Sequence, residues 1–405
     1  MLRKYQQEAL SKLLWSRTLP GFDLCILPQG SGKSHIIAAY AKAVDKPILI
    51  LQPTRELILQ NKQKLEQIVD PSEIAVYSAG LNSKKISRFT FGTVQSVIKA
   101  MALFKHIDTI IVDEADLVNT RDTDTQYRRV IADIAPNKVI GLTATPYRMA
   151  TRYRRWGKLP WQLTSYTVTE LINRVYPVFW DRIVYQISHQ ELVDQGYLVP
   201  LIYVDKTILD HDQIPTNKSK SDFDLVKWHE KVDKSRPWEE ITVEIKELIE
   251  KYSSVLVFTA TVAEATALQA VLPSSQVLTS LTPSKLRLGI IQAFRVGRIK
   301  ILINVQILTV GFDHPPIDAI FLLRPTRSFR LYQQLLGRGS RIFPGKKTCT
   351  VYDYSGTVKA LGPIESIRIE KIEKENNKWD LISSTGRWHN RELYSFRLNK
   401  KTPKK

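Results

Sequence analysis

The sequence predicts an α/β protein built from two parallel-sheet units in tandem. Three observations predict it. The chain has 405 residues, which at roughly 100–200 residues per domain is enough for two. Short β-rich runs alternate with helical stretches in two separate parts of the chain, the pattern of parallel strands joined by crossover helices. Hydrophobic residues make up 43% of the sequence, enough to fill two cores.

The first unit is assigned residues 1–200. Its expected strands are Leu24–Leu27, Ile48–Leu51, Ile74–Tyr77, Phe89–Gly92, Thr109–Val112 and Lys138–Thr143, with helical stretches between most of them. Residues 147–180 break the rhythm, being rich in arginine and aromatics. The second unit is assigned residues 201–362. It opens with the strand-like Leu201–Val204 and a polar stretch, 205–236, read as a loop or flexible connector. A helix is expected from Pro237 to Tyr252, because Pro-Trp-Glu-Glu places acidic residues at the positive end of the dipole. Alternation then resumes with Ser254–Phe258, Val262–Leu272, Gln276–Thr279, Pro283–Arg295, Ile299–Asn304, Ala319–Leu323, Leu331–Leu336 and Thr348–Tyr354. Residues 363–405 form a small polar extension ending in KKTPKK, read as a disordered basic tail.

The formal net charge is +19, an excess that favours a polyanionic partner. Cys25 and Cys349 are the two cysteines. They make neither a zinc pattern nor a disulfide framework, so no zinc and a reducing compartment are expected. The seven histidines show no ligand spacing. MLRKYQQEAL is not a signal peptide, and no apolar run reaches about 18 residues, so a cytoplasmic protein without membrane contact is expected.

LPQGSGKS, residues 27–34, follows an expected strand and precedes a helix, where a phosphate loop belongs. Gly30 and Gly32 allow the backbone around Ser31 to turn its N–H groups towards phosphate oxygens. Lys33 reaches the β- and γ-phosphates and Ser34 holds Mg²⁺ in that geometry. Leu27 stands where the general pattern has glycine, and a Gly-rich turn with an incidental lysine is the plain alternative. DTIIVDEAD, residues 108–116, carries Asp113 and Glu114 to the carboxyl end of an apolar strand, where ligands of such sheets bind. Asp113 suits Mg²⁺, and Glu114 suits a base that orients the attacking water. A solvated acidic turn is the alternative, weakened by the phosphate loop upstream.

These pieces, in this order, resemble superfamily 2 helicases and translocases. The resemblance implies two RecA-like domains with an ATP cleft between them, and ATP with Mg²⁺ as cofactors. LRKYQQEAL looks like the adenine-reading Q motif, so Gln6 would meet the adenine edge, with Arg3 or Tyr5 stacking beside it. QPTREL and FGTVQSV resemble strand-contact motifs, implying backbone contacts from Thr54, Arg55, Thr93 and Gln95. GLTATPYR resembles motif III, with Thr143 and Thr145 coupling hydrolysis to domain movement. VLVFTATVAEA resembles motif IV. ILINVQILTVGFDHP resembles motif V, where Thr309 would touch the strand, Gly311 permit close approach and Asp313 reach the nucleotide. YQQLLGRGSR resembles motif VI through Gln334, Arg338 and Arg341. An arginine delivered by a second domain stabilises charge on the transferring phosphoryl group, worth about 10³–10⁵ in rate.

Within the superfamily the chain looks most like RadD (YejH-like) proteins and phage branch-migration helicases of the UvsW type, on VYSAGL, LTATPYR and WDRIVYQISHQELVDQGYLVP. RadD proteins are expected to carry a cysteine-rich zinc element, which two distant cysteines cannot form. DEAD suggests RNA helicases instead, but LTATP replaces the SAT of that family, Gln334 replaces its His-Arg pair, and the Q motif takes an LRxYQ form. The resemblance therefore implies a monomeric DNA-dependent ATPase that unwinds or branch-migrates single-stranded, forked or branched DNA in repair, recombination or replication. Recombination or single-strand-binding proteins are its expected partners. An RNA helicase, the motor of a restriction or defence complex, and a scaffold with a dead ATP site are the alternatives.

The segment 148–161 stands apart from these motifs. Arg148, Arg152, Arg154, Arg155 and Lys158 alternate with Tyr153, Trp156 and Trp161, without an acid. Arginine with interleaved aromatics suits phosphate contact and base stacking, so a DNA-gripping or duplex-splitting element is one reading. A basic surface loop with packed tryptophans is the other.

Overall fold

The computed structural model describes residues 2–119, 122, 124–155, 163–218, 221–305, 313–372 and 379–388. In the first half the elements are α1 (Lys4–Ser16), β1 (Phe22–Ile26), α2 (Lys33–Val44), β2 (Ile48–Leu51), α3 (Arg55–Glu66), β3 (Ile74–Ser78), β4 (Ser83–Lys84), β5 (Phe89–Gly92), α4 (Val94–Val97), β6 (Thr109–Asp113), α5 (Gln126–Ile134), β7 (Lys138–Thr143), β8 (Tyr147–Arg155), β9 (Leu163–Leu171), β10 (Arg182–Gln186) and α6 (His189–Asp194). Eight strands form one sheet in the order β10-β1-β7-β6-β2-β5-β3-β4. Only the short β4 runs antiparallel to its neighbour among these pairings.

The second half holds β11 (Leu201–Asp205), α7 (Leu225–Ser235), α8 (Trp238–Ile249), β12 (Val255–Thr259), α9 (Val262–Val271), β13 (Ser275–Leu278), α10 (Ser284–Arg295), β14 (Ile301–Asn304), β15 (Ala319–Leu323), α11 (Phe329–Leu336), β16 (Cys349–Asp353) and α12 (Thr357–Leu361). Its six-stranded parallel sheet has the order β11-β16-β15-β12-β14-β13. Central strands such as β2 (ILIL) and β15 (AIFLL) are buried along their whole length. Helices cover both faces of a parallel sheet, so such strands read as continuous apolar runs rather than alternating ones. In both sheets, strands such as β1, β2, β12 and β15 run from their carboxyl-terminal ends, where ligands of this architecture bind, through short loops into helices.

A buried charge cluster fixes the edge of the first sheet. Asp23 on β1 makes an ion pair with Lys138 Nζ of β7 at 2.6 Å, with both side chains almost fully buried. Lys138 also donates to the carbonyls of Ser16 at 2.8 Å and Leu19 at 3.1 Å, while Arg182 of β10 flanks the same carboxylate. The lysine's charge and donors are thus satisfied, which is what a buried ion requires.

Three expectations need correction. Residues 147–180 contain an antiparallel hairpin, β8 with β9, paired from Tyr147–Leu171 to Arg155–Leu163, and then lead into β10, an edge strand of the first sheet. Residues 205–236 are not all connector. Asp224 caps α7 by accepting from Lys227 N–H at 3.2 Å, and Trp228 and Val232 bury one stripe of that helix. The polar outer face hid it. The extension beyond residue 362 carries a three-stranded sheet of β17 (Arg368–Lys371), β18 (Trp379–Ser383) and β19 (Gly386–Arg387). Ile369, Leu381 and Trp388 are its buried residues in the main core. Too few apolar residues lie in each short strand to stand out from the charged background. This sheet is tied to the first half, since Arg174 donates to Trp379 O at 2.7 Å and Gln186 to Ile369 O at 3.3 Å. It meets the second half through Trp388 on Phe329, ring centroids 4.8 Å apart. The basic run KKTPKK lies outside the described residues.

Candidate nucleotide cleft between the two units

The phosphate loop sits where the sequence places it, between β1 and α2. Gly30 and Gly32 adopt left-handed φ of +77° and +76°, a region that only glycine enters without strain. A Cβ on Gly32 would lie 2.7 Å from Gln6 Nε2, so the space is filled as well. Ser31 between them is buried, and its carbonyl accepts from Tyr5 Oη and, at 2.9 Å, from Gln6 Nε2. Gln6 Oε1 accepts from Arg3 N–H at 3.0 Å. The start of α1 is thereby fastened to the loop. Lys33 opens α2 and lies 3.4 Å from Leu27 O, and Ser34 follows it in the first turn.

β6 delivers the acidic pair. Asp113 accepts from Asn61 Nδ2 at 3.1 Å and from Glu114 N–H at 3.1 Å. Burial pushes its carboxyl above the usual range, with Lys33 nearby opposing the shift. Glu114 has a left-handed backbone, φ +56° and ψ 56°, unusual for a residue other than glycine. Its Oε2 is buried without a hydrogen-bond partner among the described residues. Burial raises its carboxyl to about 7; Lys33 draws it down, Asp116 and Asp113 push it up, and Arg330 draws it down.

The second half supplies the opposing wall. Arg338 and Arg341 follow α11, and burial lowers both guanidinium groups to about 10, with Glu114 partly offsetting this for Arg338. Arg341 is ion-paired with Asp313. Gln334 is buried on α11, and its Nε2 has no hydrogen-bond partner among the described residues. Close approaches show how tightly the walls meet. A Cβ on Gly337 would lie 2.6 Å from Gln29 Cβ, and one on Gly30 would lie 3.1 Å from Arg341 Cγ. Val199 N–H also donates to Ser340 O at 2.7 Å. The result is a cleft of about 460 Å³ whose lining includes Arg3, Gln6, Lys33, Ser34, Asp113, Glu114, Asp313, Arg338 and Arg341.

Residues in and beside the cleft were not all legible beforehand. Tyr197 lines the mouth, with the Arg3 guanidinium 4.9 Å over its ring. Tyr5, expected beside the base, is instead buried against Tyr197, ring centroids 5.0 Å apart. Its hydroxyl is used on the phosphate loop, so Arg3 and Tyr197 are the residues at the mouth that could stack on a base. Asn61 and Arg330 hold the acidic residues, and neither stands in a motif-like run that would have marked it.

The remaining candidates are spread outside the cleft. Thr54 caps α3, accepting from Leu57 N–H at 3.3 Å, and Arg55 donates to Gly80 O at 3.2 Å. Thr93 precedes α4 and donates to Ser96 Oγ at 3.0 Å, while Gln95 is exposed. β2 and β5 are paired neighbours, so these four residues share one edge of the sheet. Thr143 and Thr145 are buried together. Thr143 donates to Asp116 Oδ1 at 2.7 Å and accepts from Thr145 N–H at 3.0 Å. In the hairpin, Arg148 donates to Asn119 Oδ1 at 2.6 Å and Arg152 pairs with Glu170 at 2.5 Å. The acid missing from residues 148–161 is thus provided by the facing strand, and these two arginines are already engaged. Arg154 and Arg155 end β8. Thr309, Gly311, Trp156, Lys158 and Trp161 lie outside the described residues.

Residues 1–148 match the family described as type III restriction enzyme, res subunit, and residues 239–343 match the helicase conserved C-terminal domain. IRC3 of Saccharomyces cerevisiae, whose name describes a candidate ATP-dependent helicase, is 25% identical over 417 residues, covering 94% of this chain and 55% of that protein. The DNA 3'-5' translocase XPB2 of Sulfurisphaera tokodaii is 23% identical, covering 83% of this chain and 78% of that protein. A fragment described as the HsdR subunit of a type I restriction enzyme from Vibrio vulnificus shares the fold. It has a TM-score of 0.63 at 19% identity and covers 88% of this chain and 64% of that one. The chain thus spans little more than half the length of IRC3. With a matching domain on each half and two RecA-like sheets in tandem, the chain belongs to the superfamily 2 helicases.

Proposed function

We propose that this chain is an ATP-driven motor on DNA. The observation that carries the reading is the split site: Lys33, Asp113 and Glu114 come from one unit, and Arg338 and Arg341 from the other, into a single cleft. The cleft suits a magnesium nucleotide. Its glycines form a cradle that a Cβ would fill, and Glu114 Oε2 and Gln334 Nε2 are buried polar atoms without hydrogen-bond partners among the described residues. Ser34 and Asp113 would hold Mg²⁺, which when bound neutralises charge building on the phosphate oxygens. Gly30, Ser31, Gly32 and Lys33 would bind the phosphates. Arg3 and Gln6 would meet the base, with Asp313 and Gln334 lining the far wall. Glu114 would orient water and take its proton, a role suited to a carboxyl whose pKa lies near neutrality. Arg338 and Arg341 would stabilise the transferring phosphoryl group, so hydrolysis would require the two units to be closed.

The strand would run along the edge marked by Thr54, Arg55, Thr93 and Gln95, with Thr309 from the second unit, and Arg154 and Arg155 would add phosphate contacts at the hairpin. A DNA substrate is favoured by the likeness to XPB2 across most of both chains, with the charge of +19 in support. Unwinding or branch migration in repair, recombination or replication, as in RadD- and UvsW-type proteins, is the finer reading we favour. The match to a restriction res subunit favours a second one, in which the chain drives a restriction complex and a partner does the cutting. ATP turnover should be measured without nucleic acid, then with single strands, forks, four-way junctions and RNA duplexes. Stimulation by DNA, greatest on branched substrates, supports the first reading. Stimulation by RNA alone would overturn it, and translocation on plain duplex without strand separation would favour the second.

A further inference from the structure

The helix that carries motif VI touches the first unit at two places outside the nucleotide cleft. Arg330 and Gln333 lie one turn apart on α11. Arg330 Nε makes an ion pair with the Asp116 carboxylate, a charge contact without the alignment of a hydrogen bond. Asp116 is fully buried, and its other oxygen accepts from Thr143 Oγ, which in turn accepts from Thr145 N–H. Gln333 Oε1 accepts from the Tyr147 hydroxyl. Tyr147 is the first residue of β8, so this second contact lies at the root of the hairpin. Its ring packs edge-on against Phe329 of the same helix, centroids 5.9 Å apart.

We propose that Arg330 is a positioning residue that latches the two units and transmits their closure to the segment Thr143–Tyr147 and the β8–β9 hairpin. The physical reason is the environment of Asp116. Its side chain is fully buried at the interface, where an unpaired carboxylate is costly. The neutral Thr143 hydroxyl satisfies one oxygen, but the cation is delivered by the other unit. Closure therefore gives Asp116 its counter-charge, and separation withdraws it. Thr143 hangs on the same carboxylate, so the loop from β7 to the hairpin is held in one arrangement when the latch is made. Gln333 fixes the far end of that loop through Tyr147. One rigid helix thus reports on both ends of a five-residue segment, while its following turn places Arg338 and Arg341 in the cleft. Arg330 itself is not among the residues lining that cleft, which separates its role from nucleotide binding.

This inference rests on the ATPase reading above, and its test has one arm that does not. In that arm, a donor and an acceptor dye are placed on exposed positions of the two units, and closure is read by energy transfer with a non-hydrolysable ATP analogue. The wild type should close, Arg330→Gln should reach at most about half the wild-type closed fraction at saturating analogue, and Arg330→Lys should recover most of the effect because it restores the charge. In the turnover arm, Arg330→Gln should lower the DNA-stimulated kcat at least tenfold and leave KM for ATP within twofold. Tyr147→Phe, which removes one hydroxyl and keeps the ring, should reduce base pairs opened per ATP while turnover continues. Thermal melting checks that each variant is folded; if Arg330→Gln is not, Arg330→Lys and Tyr147→Phe carry the test. Closure and kcat equal to wild type in the Arg330 variants would overturn the latch. So would a rise in KM with kcat unchanged, because Arg330 would then act on nucleotide binding. A wild type that closes on the analogue but shows no stimulation by any nucleic acid would overturn the motor reading and leave the latch standing.

Discussion

Glu114 holds a left-handed backbone at the end of β6, which for an L-residue costs roughly 1–2 kcal/mol. Its carboxylate lines the cleft, with one oxygen lacking a hydrogen-bond partner among the described residues. Glu114→Gln keeps the shape and removes the base, so turnover should fall about 10²-fold or more while ATP still binds; Lys33→Ala should weaken binding as well. Equal kcat in a steady-state assay of Glu114→Gln would remove it from the chemistry. The acidic pair and the phosphate loop were legible because their chemistry needs fixed residue types at fixed spacings. Asn61, Tyr197 and Arg330 were not, because each acts through a contact made only by the fold. Buried histidines make a second residue-scale prediction. Burial lowers His189 to about 4 and His211 to about 3, while the Glu264 carboxylate raises His229. Below about pH 6.5 the unfolded chain takes protons that folded His189 and His211 refuse. The stability they contribute is full above that pH and is lost as pH falls towards 4 and 3. In an NMR titration His189 and His211 should remain neutral at pH 5, and His229 should titrate above the ordinary histidine value; normal titration of the first two would show that they are not buried.

Among the elements, the parallel strands were the most legible, because burial on both faces leaves uninterrupted apolar runs such as ILIL and TIIV. The hairpin, α7 and the C-terminal sheet were not, because each buries only a few side chains and shows a polar face to water. β1 depends on one feature that its sequence hides. Asp23 neutralises Lys138 in the interior, and Asp23→Ala should cost about 3–5 kcal/mol, the usual effect of leaving a buried charge unpaired. Urea unfolding measures this, and a loss under about 1 kcal/mol would mean that water reaches the lysine. In the hairpin, Arg148 and Arg152 are tied to Asn119 and Glu170, and the proposed strand contacts there are Arg154 and Arg155. Replacing both by Ala should lower single-strand affinity and flatten its dependence on log salt by about 0.7 for each phosphate no longer neutralised. An unchanged slope would return the hairpin to a structural role.

At the scale of the whole molecule, the two sheets meet through α11 and the segment that follows it. This stretch sets Gly337 against Gln29 and Arg341 against Gly30, and it ties Arg330 and Gln333 to the first unit. The motif order announced such a meeting, but its tightness depends on close backbone approaches that no spacing reveals. The C-terminal sheet touches both halves and so adds to the same seam. In the proposed motor, hydrolysis needs both halves of the cleft at once. This requirement is tested most directly by DNA-stimulated ATP turnover of Arg338→Ala beside the wild type, with nucleotide binding measured separately. The expected result is a fall in kcat of about 10³-fold or more with binding retained. Turnover at the wild-type rate would contradict it.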